Sequence, residues 1–298
     1  MEGIINILKP PGPTSFDVVY LVRKKLNIKK AGHLGTLDPG ACGVLPIMIG
    51  RATRFFDLLH KTDKEYIVRM TFGTGTDTLD ALGKVVRKLP FDFSETEFIE
   101  TLKSFKGKIS QVPPSFSAVH VNGKRAYDLA RAGVEFELKP RTVEIKSIDY
   151  LKRTDGSTFM FKVCCSSGTY IRSLVEDIAK KLNTAAYMSF LLRTKSCGFG
   201  IDSAITLQEL DSFKSEYLTT LDELARKRPF VIVKEQYTKA LYNGNKLLKG
   251  AIGEDCSNGS ETFCVFDSKK RFVAFATLEE DIIRINKLFL TENFDEGL

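Results

Sequence analysis

Gly32-His33-Leu34-Gly35-Thr36-Leu37-Asp38-Pro39-Gly40-Ala41-Cys42-Gly43-Val44-Leu45-Pro46 is the stretch on which the reading of this chain turns. Gly32, Gly35, Gly40 and Gly43 fall within twelve residues, with His33 and Asp38 between them. Such spacing describes a backbone that approaches something closely while holding two polar side chains in set directions. Pro39 pushes Asp38 out of the helical region into an extended conformation. No Gly-Lys-Ser/Thr follows, so the stretch is not a phosphate loop. Taken alone it fits a tight loop in which Asp38 caps a turn as readily as a site of chemistry.

Upstream, Lys9-Pro10-Pro11-Gly12-Pro13-Thr14-Ser15 is a rigid turn whose prolines forbid helix and whose Ser15 is placed to cap the next element. Phe16, Val19, Val22 and Leu26 then recur at helical spacing, with Arg23, Lys24, Lys25, Lys29 and Lys30 gathered at the far end. Those cations suit the negative end of a helix dipole as well as an anionic partner. Downstream, Ala52, Phe55, Phe56 and Leu59 predict a helix over 50–59, and the alternation in Lys64–Phe72 predicts a strand. An acidic turn, Thr76-Asp77-Thr78-Leu79-Asp80, precedes a capping box at Ser94-Glu95-Thr96-Glu97 that opens a helix carrying Phe98, Leu102 and Phe105.

Residues 111–141 are basic and poorly periodic, with a short helix expected around Tyr127–Ala132 and otherwise a long mobile excursion. Strands are expected at 142–151 and 158–165. Ser166-Ser167-Gly168-Thr169 then opens a helix with Ile171, Leu174, Val175, Ile178 and Leu182 on one stripe. Near Lys227-Arg228-Pro229 the periodicity ends. Beyond it a helix around Thr238–Tyr242, an Asn243-Gly244 turn and strands at 262–266, 272–277 and 282–290 predict a small β-rich appendage. The expected domains are therefore 1–230 and 231–298.

Charge follows the same division. Residues 1–230 hold 35 Lys+Arg against 26 Asp+Glu, whereas residues 231–298 hold 9 against 11, so the basic excess belongs to the first part alone. That favours a polyanion there, although only weakly. No apolar run approaches the ~20 residues that span a bilayer, and Met1-Glu2-Gly3-Ile4 lacks the basic start of a signal peptide, so a cytoplasmic protein is expected. The six cysteines include no CxxC pair and have no His at ligand spacing, which argues against zinc; adjacent Cys164-Cys165 suit reduced thiols on a strand.

Gly-His-x-Gly-x-Leu-Asp-Pro, running on through Pro46, resembles the hallmark of the TruB family of tRNA pseudouridine synthases, with Gly40-Ala41-Cys42 where the family has a residue, Ala or Ser, and Thr. Three further family motifs occur in the expected order: Lys9-Pro10-x-Gly12-x-Thr14-Ser15, Lys64-x-Tyr66, and Gly168-Thr169-Tyr170-Ile171-Arg172. Gln111-Val112-Pro113-Pro114, Thr76-Asp77-Thr78-x-Asp80 and Leu191-x-Arg193 fit as weaker pieces. The resemblance implies an α+β fold: a catalytic domain with a central mixed, largely antiparallel sheet flanked by helices, and a small C-terminal β-barrel resembling a PUA domain.

It also implies a reaction without cofactor or metal, the isomerisation of uridine 55 in the TΨC arm of tRNA. Asp38 would be the catalytic carboxylate, attacking C1′ or taking the ribose 2′ proton. Arg172 would hold it ionised through a bidentate pair. The target base must be flipped out of the stack, with Tyr66 as the face that holds it and His33 filling the gap it leaves. Tyr170, Leu191, Arg193 and the Lys9-Pro10 turn would line or brace the pocket. Residues 111–141 match the family's RNA-gripping insertion, with Lys124, Arg125 and Arg131 as phosphate contacts; His120 and Phe116 stand where the family has Lys and Tyr.

Two other functions compete: an RNA chaperone that refolds tRNA without chemistry, and the guide-RNA-dependent branch of the superfamily. The joint presence of Asp38, Tyr66 and Arg172 argues against the first as the sole role. The chain begins eight residues before Lys9, without the N-terminal extension that guide-RNA-dependent relatives use to assemble with partners, which favours the standalone bacterial type; a monomer with no obligatory protein partner and no membrane is expected.

Overall fold

Alternation in Lys64–Phe72 buries Tyr66, Val68, Met70 and Phe72 and leaves Arg69 exposed, and this strand lies within the main sheet of the computed structural model, which describes residues 1–60 and 62–290. The main strands are β1 (Gly3–Lys9), β2 (Cys42–Ile49), β3 (Lys64–Phe72), β4 (Gly107–Gln111), β5 (Arg141–Arg153), β6 (Thr158–Cys165) and β7 (Ala186–Ser196). Their order across the sheet is β1-β2-β7-β3-β6-β5-β4. β7 runs parallel to β2 and antiparallel to β3, and the β3–β6, β6–β5 and β5–β4 pairs are antiparallel. The sheet is thus mixed and largely antiparallel, as expected.

Three helices flank it: α1 (Ser15–Lys25), α2 (Glu95–Lys103) and α3 (Ile171–Lys181). α2 opens with the expected capping box, Ser94 accepting from Glu97 N while the Glu97 carboxylate accepts from Ser94 N. Phe98 of α2 and Phe159 of β6, both fully buried, lie 4.7 Å apart at the centre of an aromatic cluster with Phe72 and Phe93. Each buried ring contributes about 1.5–3 kcal/mol of hydrophobic stabilisation. α3 buries Ile171, Leu174, Val175 and Ile178 as its stripe requires, and also Arg172 and Ser173.

Three expectations change. α1 is capped by Thr14, in a box with Asp17, and Ser15 faces inward instead. The buried stripe of α1 is Val18, Val19 and Val22, which turns Phe16 outward, 70% exposed. The segment 50–59 is a 3₁₀ turn over Gly50–Phe55 followed by an α-turn over Phe56–Leu59. The three-residue period aligns Ala52 with Phe55 inside and leaves Phe56 40% exposed, stacked on His60. Within 111–141 the short helix is Ala126–Arg131, preceded by a hairpin that pairs His120–Val121 with Lys124–Arg125 across Asn122-Gly123. Both turn residues have positive φ, as a two-residue hairpin turn demands.

The chain divides into two compact units: Ile5–Met48 with Thr53–Phe213, and Met1–Ile4 with Ile49–Ala52 and the chain from Lys214 on. The second contains a six-stranded sheet of β8 (Phe230–Val233), β9 (Leu247–Leu248), β10 (Ile252–Cys256), β11 (Thr262–Phe266), β12 (Phe272–Glu279) and β13 (Ile282–Leu288), in the order β9-β13-β12-β11-β8-β10. Val231, Val233, Leu241, Val265, Val273 and Ile283 form its core, consistent with a PUA-like module. The last eight residues of the appendage expected over 231–298 lie outside the described residues.

Candidate active site

The loop carrying Asp38 is tied down from two other segments. From the Lys9–Ser15 turn, Ser15 Oγ donates to Leu37 O at 2.9 Å and accepts from Leu37 N at 2.8 Å. Lys9, fully buried, donates through Nζ to Pro10 O, Pro39 O and Ala41 O at 2.9, 3.2 and 2.7 Å. Gly12 N donates to Pro39 O at 2.8 Å. From β7, Arg193, also fully buried, donates to Val44 O, Thr36 O and Gly35 O at 2.8, 3.1 and 3.0 Å. The carbonyls of Gly35 and Thr36 before Asp38 and of Pro39 and Ala41 after it are therefore held by two buried cations, and that of Leu37 by Ser15, which gives the carboxylate a fixed origin.

Asp38 itself is half-exposed and meets Arg172 on α3, with Arg172 Nε 2.8 Å from Asp38 Oδ2. The pair differs from the expected two-armed fork. Arg172 Nη1 donates to Thr78 O at 3.1 Å and Nη2 to Phe116 O at 3.0 Å, so one guanidinium joins the Asp38 loop, the acidic turn and the 111–141 insertion. Asp80 is a second carboxylate near it, with Oδ2 3.8 Å from Nη1, itself held by Thr78 Oγ1 and Leu82 N. Burial of Arg172 excludes water from these bonds, which strengthens each of them.

Tyr66, on the buried face of β3, has its hydroxyl pushed up to about 12, mainly by burial; Arg193 pulls the other way and the Asp38 charge adds to the rise. It is a neutral phenol at working pH. Tyr170 is half-buried at the head of α3, its hydroxyl also shifted upward, first by burial, with Asp38 among the charges it senses. Gln111 fixes its backbone from both sides, accepting from Tyr170 N at 2.8 Å and donating to Tyr170 O at 3.1 Å. Leu191 is buried on β7. Lys9 is lowered to about 8 by burial, against the opposing pull of Cys42 and Asp38. His33 ends the short strand Ala31–His33 that pairs with β2; burial, and then Arg193, lowers its imidazole below the usual value.

Structure brings Asp38, Tyr66, Tyr170, Arg172 and Lys9 into one electrostatic neighbourhood. Arg193 and Lys9, expected to line or brace the pocket, are both fully buried and brace the loop from behind it. Lys124 and Arg125 are exposed on the insertion, where Arg125 and Arg131 lie 5.8 and 5.6 Å from the Tyr127 ring. Sequence reasoning assigns no site role to Asp80, and treats Ser15 only as a cap. The Thr14-x-x-Asp17 spacing, which supplies a complete capping box without Ser15, is the signal that its hydroxyl is available for another task.

This arrangement, a half-exposed carboxylate with one buried arginine and two phenols around it, suits chemistry that needs an ionised, oriented carboxylate. The profile described as TruB family pseudouridylate synthase (N terminal domain) matches residues 23–171. The tRNA pseudouridine synthase B of Alkaliphilus oremlandii is 43% identical over 285 residues, covering 94% of each chain. That of Caldanaerobacter subterraneus subsp. tengcongensis is 41% identical over 291 residues, covering 97% of this chain and 99% of the other. Among solved structures, a chain of a Cbf5-Nop10-Gar1 complex superposes with a TM-score of 0.76 at 29% identity, covering 99% of this chain and 87% of the other. A chain of an H/ACA ribonucleoprotein bound to a substrate RNA containing 2′-deoxyuridine gives a TM-score of 0.73 at 27% identity, covering 97% and 85%. With its Asp38 loop, its mixed sheet and near full-length likeness to these relatives, the chain belongs to the TruB family of pseudouridylate synthases.

Proposed function

We propose that the protein converts uridine 55 in the TΨC arm of tRNA to pseudouridine. The observation that carries this reading is the Asp38–Arg172 ion pair on a loop held by Lys9, Ser15 and Arg193; the relatives named tRNA pseudouridine synthase B supply the substrate class. The reaction breaks the C1′–N1 bond of uridine, turns the uracil and forms C1′–C5, with the C5 proton lost and N1 protonated, so composition is unchanged and no co-reactant is consumed. Asp38 acts as a carboxylate, either by attacking C1′ or by accepting the 2′ proton. Arg172 keeps it charged and aimed, Tyr66 stacks on the extruded base, and Tyr170 and Leu191 line the pocket.

His33 occupies the gap left in the RNA stack, and Lys124 and Arg125 contact phosphates. In this reading residues 1–230 form the catalytic domain with the insertion at 111–141, and residues 231–298 a PUA-like RNA-binding module. The protein acts in the cytoplasm as a monomer without an obligatory protein partner, and assists tRNA folding as it binds. Among the described residues no helix is long and apolar enough to cross a membrane.

The test is to incubate the protein with an unmodified tRNA transcript and map pseudouridine, with Asp38→Asn alongside. Modification at position 55, lost by at least about a thousandfold in the variant, is expected. Modification only at another uridine, or undiminished turnover by Asp38→Asn, would defeat the assignment.

A further inference from the structure

We propose that the outward face of α1 is a second RNA-docking surface, where a base outside the catalytic pocket stacks on Phe16 and Tyr20 while Lys24, Lys29 and Lys30 hold the adjoining phosphates. The proposal rests on the reading that the substrate is RNA. Its starting point is a surplus. α1 is anchored by Val18, Val19 and Val22, all buried, and by its Thr14–Asp17 box, so folding does not require the two aromatic rings on the other side. Phe16 is nonetheless 70% and Tyr20 56% exposed, one helical turn apart on the same face. Lone exposed apolar residues are unremarkable, whereas two rings in register beside several cations form the platform that binds nucleotides by stacking and charge together.

Position connects this face to the site. Ser15, immediately before Phe16, makes both of its hydrogen bonds to Leu37, the neighbour of Asp38. At its other end α1 leads through Lys29 and Lys30 into the strand that ends at His33. The helix, about 16 Å long, therefore starts against the loop that carries Asp38 and leads back into it through His33, and the proposal places on its outward face the nucleotides next to the one inserted beside Asp38. An RNA loop with unstacked bases is the substrate form that aromatic side chains recognise.

Charge on this face favours RNA over a protein partner of mixed charge. Arg23, Lys24, Lys29 and Lys30 are exposed. The nearby acids are engaged: Asp17 accepts from Thr14 N and Oγ1, which lowers its carboxyl, and Asp211 pairs with Lys25. Arg23 donates to Ile28 O, while among the described residues Lys24, Lys29 and Lys30 are paired with no acid. The helix C-terminal dipole accounts for cations in the last turn, yet it does not account for exposed rings in the first two.

The experiment uses the full chain and unmodified tRNA transcript, with Kd, KM and the single-turnover rate measured for three variants: Phe16→Ala with Tyr20→Ala, Phe16→Leu with Tyr20→Leu, and Lys24→Glu with Lys29→Glu. Both ring replacements should weaken tRNA binding at least about fivefold, the loss of one stacked base, with the effect falling on Kd and KM more than on the single-turnover rate. The charge variant should flatten the dependence of log Kd on log salt by roughly 0.7–0.9 per cation. Kd values within twofold of the parent, or a leucine pair that binds as well as the aromatic one, would overturn the proposal while leaving the catalytic reading intact. Concentration-dependent self-association abolished by the same substitutions would overturn it in favour of a second copy of the chain. Failure of the unaltered protein to bind or modify tRNA would instead remove the functional reading on which it rests.

Discussion

Arg193 directs all three guanidinium nitrogens to carbonyls of the Asp38 loop, and Lys9 directs its ammonium to two more, those of Pro39 and Ala41, and to Pro10 O. A buried charge without a carboxylate beside it is costly unless its protons are satisfied, and here the loop backbone satisfies them. The same two cations raise the local positive potential, and His33 registers Arg193: burial first, and then Arg193, lowers its imidazole below the ordinary value of 6.5. Folded His33 is therefore neutral where the unfolded chain has begun to bind a proton. As pH falls through 6.5 the unfolded state gains that proton and the folded state does not, so stability present above 6.5 declines on acidification until the lowered folded value is reached. Urea unfolding from pH 7.5 to 5 should show this as a decline steeper than in His33→Asn. Parallel curves would show that the imidazole is not held neutral by the fold.

At the scale of elements, β7 is the strand on which the site depends, since it lies between β2 and β3 and carries Leu191 and Arg193. Its pairing with β2 sets Arg193 opposite Gly43, whose φ is +115° and whose added Cβ would lie 2.2 Å from Arg193 O. Only glycine meets both conditions. Gly43→Ala is accordingly expected to destabilise the fold by about 1–3 kcal/mol from backbone strain alone and more from the clash, lowering Tm by several degrees and activity with it. A thermal melt and a turnover assay together check this, and an unchanged Tm would refute it. β7 is also where sequence reading fails. Ser189, Arg193 and Thr194 interrupt its apolar run, and bulges at Met188/Phe190 and Arg193/Lys195 break the period of two. β2 is hidden for the opposite reason, being seven buried residues in succession with no alternation. β3 and β6 are legible because each buries one face and keeps its period, and α3 because its apolar residues keep the helical period although it is buried on more than one face. Asp38, Tyr66 and Arg172 come from ordered motifs; the supporting bonds of Ser15, Gln111 and Asp80 cross 22 residues or more or depend on tertiary placement, which no local pattern encodes.

For the whole molecule the uneven charge becomes a statement about how RNA is gripped. Residues 1–230 hold the basic excess, and residues 231–298 carry more acids than bases. Counterion release makes each phosphate contact visible as salt dependence, so residues 1–230 should carry most of the slope and residues 231–298 should contribute through shape or a local patch. The hairpin that presents Lys124 and Arg125 is the place to test the first clause, because both side chains are exposed and their turn is conformationally defined by Asn122-Gly123. Replacing both with Glu should raise Kd for tRNA and lower the slope of log Kd against log salt by roughly one to two. Lys239 and Lys246, exposed in the C-terminal half, provide the contrast. Changing both to Gln should leave that slope within about half a unit of the parent. A large fall in slope for the second pair and none for the first would reverse the assignment, placing the electrostatic grip in the acidic half of the chain and removing the insertion from the list of phosphate contacts.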